Sequence, residues 1–283
     1  MSAQTIVDSH VHFWEPARFH YSWLENLPVL RRAFLPPDFS EATAAMNVSK
    51  LIFVEGGCET AESLAEVDWA ISLAKQEPRL KGVIAHLSLE RGQAVREDLA
   101  ALTRRPLVKG VRRPLQSEQD ADFCLHPEFV AGVTLLAQFG FTFDLCIRHE
   151  QLERVTELVR RVPQVTFILD HFGKPNVRSG NAGAWTKHLR ALAALPNVVC
   201  KISGLATEAD WHDWQPADLK SYFETAMDLF GFDRVLFGGD WPVATLATDY
   251  RRWIETVRDL ISPVQASGRA KLFQANAERV YRV

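Results

Sequence analysis

The segment Ile6-Val7-Asp8-Ser9-His10-Val11-His12-Phe13 opens the chain with β-branched residues and two histidines at alternate positions. Runs of β-branched and apolar residues predict strands, and further runs of this kind recur along the sequence. The predicted strands are 6–13, 51–56, 82–87, 108–113, 142–147, 166–171, 198–203 and 235–240. Apolar residues at helical spacing follow most of them, which is the pattern of repeated strand-helix units. Eight units predict an α/β fold, a closed (β/α)8 or TIM barrel, as a single domain over 1–283.

Helix boundaries support this division of the chain. Pro216 is placed to begin a helix and Gly231 to end it, and 271–281 predicts a closing helix. Two connections are longer than a barrel needs. The first, 14–38, is rich in aromatic residues and proline, and the second is 173–183. Both leave the face where barrel enzymes place their active sites, so we expect 14–38 to form a lid loop.

Composition narrows the class of partner. The net charge of −3 gives no reason to expect nucleic acid or an anionic membrane as partner, and no apolar run approaches the ~20 residues of a membrane span. Cys58, Cys124, Cys146 and Cys200 form no C-x-x-C pair, which is typical of reduced structural thiols. We therefore expect a cytoplasmic protein, monomeric or homodimeric, that acts on a small molecule.

Histidines and one aspartate stand at predicted strand ends. Asp8, His10 and His12 alternate along the first strand, so all three are predicted to face the barrel interior. His171 ends the sixth strand, where alternation predicts that it points inward and that Asp170 faces the helices. Asp240 ends the eighth strand after two glycines. In this architecture catalytic groups converge from several strand ends, which favours His10, His12, His171 and Asp240 as the catalytic set.

These residues also carry a family resemblance. The chain resembles the amidohydrolase-2 branch of the amidohydrolase superfamily, and within it the sugar-lactonase group, close to L-fuconolactonase and more distantly 2-pyrone-4,6-dicarboxylate lactonase. The motifs are Asp8-Ser9-His10-Val11-His12, Gly110-Val111-Arg112-Arg113, Asp170-His171-Phe172-Gly173-Lys174-Pro175, Lys201-Ile202-Ser203-Gly204-Leu205, Gly238-Gly239-Asp240-Trp241-Pro242 and Asn276-Ala277-Glu278-Arg279-Val280-Tyr281. The resemblance implies hydrolysis of a cyclic ester and a place in carbohydrate metabolism.

The resemblance also bears on metal content. A two-metal site would need a modified lysine on the fourth strand, but Lys109 stands at the wrong end of that strand, and the fifth strand lacks the matching histidine. A single Zn²⁺ on His10, His12 and Asp240 remains chemically reasonable, because imidazole and carboxylate suit zinc. The resemblance to the lactonases implies that no cofactor is obligatory.

Cationic and aromatic residues are candidates for substrate binding. Lys201 and one arginine of the pair Arg112 and Arg113 are predicted to hold the substrate carbonyl or its oxyanion. The family resemblance implies that Arg112 has this role and that Arg113 is structural. The aromatic candidates are Trp14, Trp23 and Trp241. Three further pocket candidates are interpreted as structural residues: Glu55, His86 and Asp144.

The hypothesis is a hydrolase that opens a small sugar lactone, an aldonolactone such as L-fuconolactone, to its hydroxy-acid. Asp240 takes a proton from the attacking water and returns it to the leaving alkoxide. Two alternatives stay open: a zinc-dependent decarboxylase of the same superfamily, and an inactive barrel that binds a sugar acid.

Overall fold

The computed structural model describes residues 4–262 and 266–283. The strands are β1 Ile6–Val11, β2 Val48–Val54, β3 Leu80–His86, β4 Val108–Arg112, β5 Thr142–Leu145, β6 Phe167–Leu169, β7 Val198–Ile202 and β8 Val235–Phe237. The helices are α1 Pro36–Ala42, α2 Ser63–Leu73, α3 Arg96–Thr103, α4 Pro127–Phe139, α5 Leu152–Arg161, α6 Gly183–Ala193, α7 Pro216–Phe230, α8 Tyr250–Leu260, α9 Ala266–Ala270 and α10 Asn276–Tyr281. A π-helical turn, Lys271–Ala275, joins α9 to α10.

The strands form one parallel sheet in the order of the sequence, from β1 to β8. Two backbone hydrogen bonds join the end of β8 to β1: Asp240 N–H donates to the His10 carbonyl and His12 N–H to the Trp241 carbonyl, each at 2.8 Å. The sheet therefore closes on itself, and the predicted single-domain TIM barrel is confirmed.

Local sequence signals explain the helices around the barrel. Helix α7 begins at Pro216 and ends just before Gly231, as predicted, because proline fits the first helical turn and glycine accepts the left-handed conformation that ends it. Helix α5 buries its apolar stripe, including Val155 and Val159, against the sheet. The predicted closing helix is present as the π-turn followed by α10.

An apolar cluster fills the barrel interior between the strands and the C-terminal helix α10. Its strand residues are Val7, Ile52, Val54, Ile84, Ile168, Val199 and Leu236. Residues of α10, including Val280 and Tyr281, pack against them. Because Lys50, early in β2, contacts the Val283 carbonyl, α10 covers the N-terminal end of the barrel. The C-terminal end of the barrel is therefore the end that is left open for a ligand.

Two predicted side-chain directions were wrong. Ile168 packs inside the barrel whereas Phe167 and Leu169 pack outside it with the helices, so Asp170 lies on the inward side and not toward the helices. Asp8 does not face the barrel interior: it accepts hydrogen bonds from the Tyr250 hydroxyl of α8 and from Gly239 N–H, both at 2.8 Å. A register irregularity between Asp8 and Val11 breaks the alternation that the prediction assumed.

Candidate active site

A cavity of about 450 Å³ opens at the C-terminal ends of the strands. Its wall combines side chains from most of the strand ends with the loop that follows β1. The polar and charged lining residues are His12, Ser22, Glu55, His86, Arg112, Arg113, Gln116, Ser117, Glu118, His171, Lys174, Thr207 and Asp240. A smaller cavity of about 140 Å³ lies between α2 and α3 and shares His86 with it.

The predicted catalytic residues meet at the floor of this cavity. His10 Nε2 and His12 Nε2 are 3.1 Å apart, and each lies 3.7 Å from Asp240 Oδ1. His171 Nε2 lies 3.8 Å from the same oxygen. All four side chains are buried, and three imidazoles surround one carboxylate.

The protonation of His12 follows from its hydrogen bonds. His12 Nδ1 lies 2.9 Å from the Val54 carbonyl and 3.1 Å from the Glu55 carbonyl. Carbonyl oxygens only accept, so Nδ1 carries the proton, and in the neutral ring Nε2 presents a lone pair to the centre of the site. His12 Nε2 and Asp240 Oδ1, which are both acceptors, thus face one another at 3.7 Å.

Asp240 is held in an unusual backbone conformation. Its φ is 53°, in the left-handed region, which costs a non-glycine residue about 1 kcal/mol or more. Two backbone hydrogen bonds hold it: Asp240 N–H donates to the His10 carbonyl, and the Asp240 carbonyl accepts from Ala244 N–H, each at 2.8 Å. Burial alone would raise the pKa of Asp240, but the surrounding histidines, His171 foremost, hold it below its ordinary value. The carboxylate is therefore ionised at neutral pH.

A buried ionic cluster lies beneath His10. Lys201 Nζ contacts Asp144 Oδ2 at 2.5 Å and Asp170 Oδ1 at 3.0 Å, and lies 3.2 Å from His10 Nδ1. Burial disfavours the charge of Lys201, but the two carboxylates raise its pKa above the ordinary value. Lys201 does not line the cavity, so the prediction that it contacts substrate does not agree with its position.

Arg112 lies on the cavity wall as predicted. Its Nε donates to Glu55 Oε1 at 2.6 Å and its Nη2 to the Glu55 carbonyl at 2.9 Å, and Nη1 lies 3.5 Å from His10 Nε2. Arg113 instead pairs with Glu90 and Glu118 at the rim. Arg112 thus lies on the cavity wall beside His10, and Arg113 lies at the rim.

His171 reaches the centre through a left-handed turn. After β6 ends, His171, Phe172, Gly173 and Lys174 have φ values of 53°, 57°, 69° and 48°. The turn directs His171 toward Asp240, and its Nδ1 lies 2.9 Å from Ser203 Oγ. Burial lowers the pKa of His171 to about 4, so the ring is neutral at neutral pH.

Of the three predicted aromatic contacts, Trp23 lines the cavity and donates from Nε1 to the Gly56 carbonyl at 2.9 Å. Trp14 is fully buried and donates to the Leu30 and Arg32 carbonyls. Trp241 packs edge-on against Phe13, Phe34 and Phe39. These two tryptophans hold the β1 loop against the barrel, so the expectation of substrate contact fails for both.

The donor atoms at the floor fit a small divalent cation. Ligands bonded to tetrahedral zinc at about 2.0–2.1 Å are separated by roughly 3.3 Å, close to the spacings of 3.1–3.7 Å among His10 Nε2, His12 Nε2 and Asp240 Oδ1. The facing lone pair of His12 and carboxylate of Asp240 would both be stabilised by a cation. Lys109 stands at the start of β4, and His10, Asp170 and His171 form a second group of potential metal ligands that shares His10 with the first.

Sequence reasoning missed several residues of the site. Asp170 and Ser203 hold the central histidines, and Lys174 lines the cavity. Inward alternation from Lys201 would have indicated Ser203, but Asp170 was assigned to the wrong face. Among the pocket candidates, Asp144 belongs to the ionic cluster and Glu55 to the wall. His86 Nε2, also on the wall, is buried without a hydrogen-bond partner in the described part of the chain.

Residues 7–283 match the sequence profile of the amidohydrolase family, and the chain belongs to that family. The L-fucono-1,5-lactonase of Burkholderia multivorans is 33% identical over 293 aligned residues, covering 97% of this chain and 95% of the relative. The L-fucono-1,5-lactonase of Burkholderia ambifaria is 29% identical over 282 residues, covering 98% and 95%. A crystal structure of an amidohydrolase from B. multivorans with bound zinc superimposes with a TM-score of 0.89 at 32% identity and 99% coverage of both chains. The resemblance inferred from the motifs is confirmed.

Across 4–262 and 266–283, the helices are all too short or too polar to cross a lipid bilayer.

Proposed function

We propose that this protein is an enzyme that hydrolyses a small sugar lactone to its hydroxy-acid. The observation that carries the proposal is the convergence of three imidazoles on the Asp240 carboxylate at the floor of a cavity large enough for one sugar ring. The similarity to two L-fucono-1,5-lactonases supports it. L-Fucono-1,5-lactone is the first substrate to test.

Asp240 is the proposed general base and acid. Its carboxylate is ionised at neutral pH and can accept a proton from water as the water oxygen bonds to the lactone carbonyl carbon. The proton becomes more acidic as that bond forms, so even a weakly basic carboxylate can take it. When the ring C–O bond breaks, Asp240 returns the proton to the leaving alkoxide.

The histidines and cations then have distinct proposed roles. His12 and His171 border the reacting atoms, and Arg112 is the proposed contact for the carbonyl oxygen as its negative charge develops. Lys201 acts as a positioning residue, because its ammonium group fixes His10 from below. His10, His12 and Asp240 would hold a zinc ion, which when bound polarises a carbonyl or a water molecule.

The segment 14–38 is the proposed lid. Ser22 and Trp23 bring it to the cavity wall, and Trp14 and Phe34, joined by a backbone bridge, hold its two ends together. Trp23 offers an apolar face to a sugar ring, since its indole N–H is already bonded to the Gly56 carbonyl.

The test is a panel of five- and six-membered aldonolactones, followed with a pH indicator because each turnover releases an acid. We expect acid release from at least one lactone, and none from peptides, phosphotriesters or nucleotides. Phosphotriester or amide cleavage without lactone turnover would refute the proposal. Zinc content should be measured on the same sample, since abolition of turnover by chelation would assign the metal an essential role.

Each alternative has its own signature in the same experiment. Release of CO₂ from a carboxylated substrate by zinc-loaded protein would favour the decarboxylase. Binding of a sugar acid with no acid release from any lactone would favour an inactive binding barrel.

A further inference from the structure

One lysine stands apart from the other charges of the cavity. Lys174 is half-buried on the cavity wall, and its Nζ donates to the neutral side-chain oxygen of Gln116. Its backbone N–H bonds to the His171 carbonyl at 2.8 Å, so it ends the left-handed turn that also directs His171 inward. Burial raises the pKa of Glu208, and the positive charge of Lys174 opposes that rise. The two residues form no ion pair within the described part of the chain.

The other lining cations are already paired. Arg112 is bound to Glu55, and Arg113 is bound to Glu90 and Glu118. Within the part of the chain that the structure describes, the lysine at the end of the turn is thus the one lining cation without a carboxylate partner. An anionic ligand group would compete with protein carboxylates for the arginines, but it would meet no competitor at that lysine.

Resting on the proposed function, we propose that Lys174 binds the carboxylate of the hydroxy-acid product. Hydrolysis adds a water oxygen to the carbonyl carbon and breaks the ring C–O bond, so a neutral lactone becomes a monoanion. Lys174, the lining cation without a carboxylate partner in the described structure, matches the single negative charge of this product.

The same charge balance restricts the substrate class. A lactone that already carries two ring carboxylates would bring two negative charges to a wall with one uncommitted cation and the ionised Asp240. The second charge would lose its hydration without a partner, which is unfavourable in a buried site. The charge balance therefore favours a neutral lactone in this cavity over a dicarboxylated one.

The experiment compares Lys174→Gln with Lys174→Arg and with the control Lys187→Gln, which removes an exposed lysine of α6. Binding of L-fuconate and gluconate is measured by calorimetry at low and high salt, and kcat/KM is measured for a neutral lactone and for 2-pyrone-4,6-dicarboxylate. We expect Lys174→Gln to weaken binding of at least one aldonate by about tenfold or more, as for loss of a charge-assisted hydrogen bond. Lys174→Arg should retain part of the affinity, and the control all of it. Higher salt should weaken wild-type binding, because it screens the ion pair.

Unchanged aldonate affinity in folded Lys174→Gln, no aldonate binding by the wild type, or faster turnover of the dicarboxylate than of every neutral lactone would overturn the inference. If Lys174→Gln does not fold, Lys174→Arg and the salt dependence of the wild type decide. Calorimetry needs no turnover, so a wild type that binds aldonates without hydrolysing lactones would refute the proposed function and leave the Lys174 assignment standing.

Discussion

Replacing Asp240 with asparagine tests the proposed mechanism at its centre. Asparagine keeps the shape of the side chain, but its amide cannot take a proton from water. Loss of a general base costs about 10²–10⁴ in rate, so we expect kcat for the best lactone to fall at least ~100-fold. Asp240 Oδ1 lies within 4 Å of the Nε2 atoms of all three histidines, whereas the nearby carboxylates of Glu55 and Asp170 are already paired with Arg112 and Lys201.

The fold should survive this change. Asp240 stands at the mouth of the barrel, beyond the apolar layers that pack its interior. We expect the variant to remain folded with a lower thermal midpoint than the wild type, because the lowered pKa of Asp240 means that its ionised form is stabilised in the folded state. Asp213→Asn, which changes an exposed carboxylate after β7, is the matched control and should leave both rate and stability unchanged.

The assay is initial-rate acid release, with zinc content measured for wild type and variant. A rate loss that persists in metal-free, active enzyme assigns Asp240 to proton transfer. A parallel loss of zinc and activity assigns it as a ligand instead. Near-normal turnover in folded Asp240→Asn protein would refute the mechanism.

Three further outcomes are expected. Lys201→Met should destabilise the protein by about 3–5 kcal/mol in denaturant unfolding, because Asp144 and Asp170 lose their buried partner; a loss under ~1 kcal/mol would contradict the ionic cluster. Burial raises the pKa of Glu66 in α2 to about 8, so between pH ~4.5 and ~8 the folded state holds a proton that the unfolded state has released. Stability should therefore fall as the pH rises through that range, by up to about 1.4 kcal/mol per pH unit. Glu66→Gln should flatten that slope, and an unchanged slope would exclude Glu66 as its source. Trp23→Ala should raise KM for the lactone more than it affects the thermal midpoint, whereas unchanged kinetics with lost stability would make Trp23 a packing residue.

Much of the site could be predicted because strand ends in a parallel barrel share one edge. Once the eight strands were counted, His10, His12 and Asp240 had to meet at the mouth, whichever residues lay between them. Alternation required one arginine of the pair at the end of β4 to face inward, and the family motif favoured Arg112 over Arg113. These inferences needed the order of the strands and one period of alternation.

Alternation itself failed where the backbone leaves the extended conformation. Asp170 points inward in phase with Ile168, and the left-handed turn after β6 then brings His171 inward as well, which a strict period of two forbids. The register irregularity in β1 turns Asp8 to α8 in the same way. Neither feature has a reliable local signal in the residues that form it.

The sequence by itself determined the barrel, its single domain and the histidine-aspartate set, because apolar periodicity and strand order are properties of the chain. Only the tertiary structure decided that Lys201 is sealed beneath His10, that Trp14 and Trp241 pack in the core, and that Lys174 lines the cavity with Gln116, a neutral residue, as the partner of its ammonium group. Burial and pairing of a charge depend on neighbours from distant strands, and packing selects those neighbours only when the barrel closes.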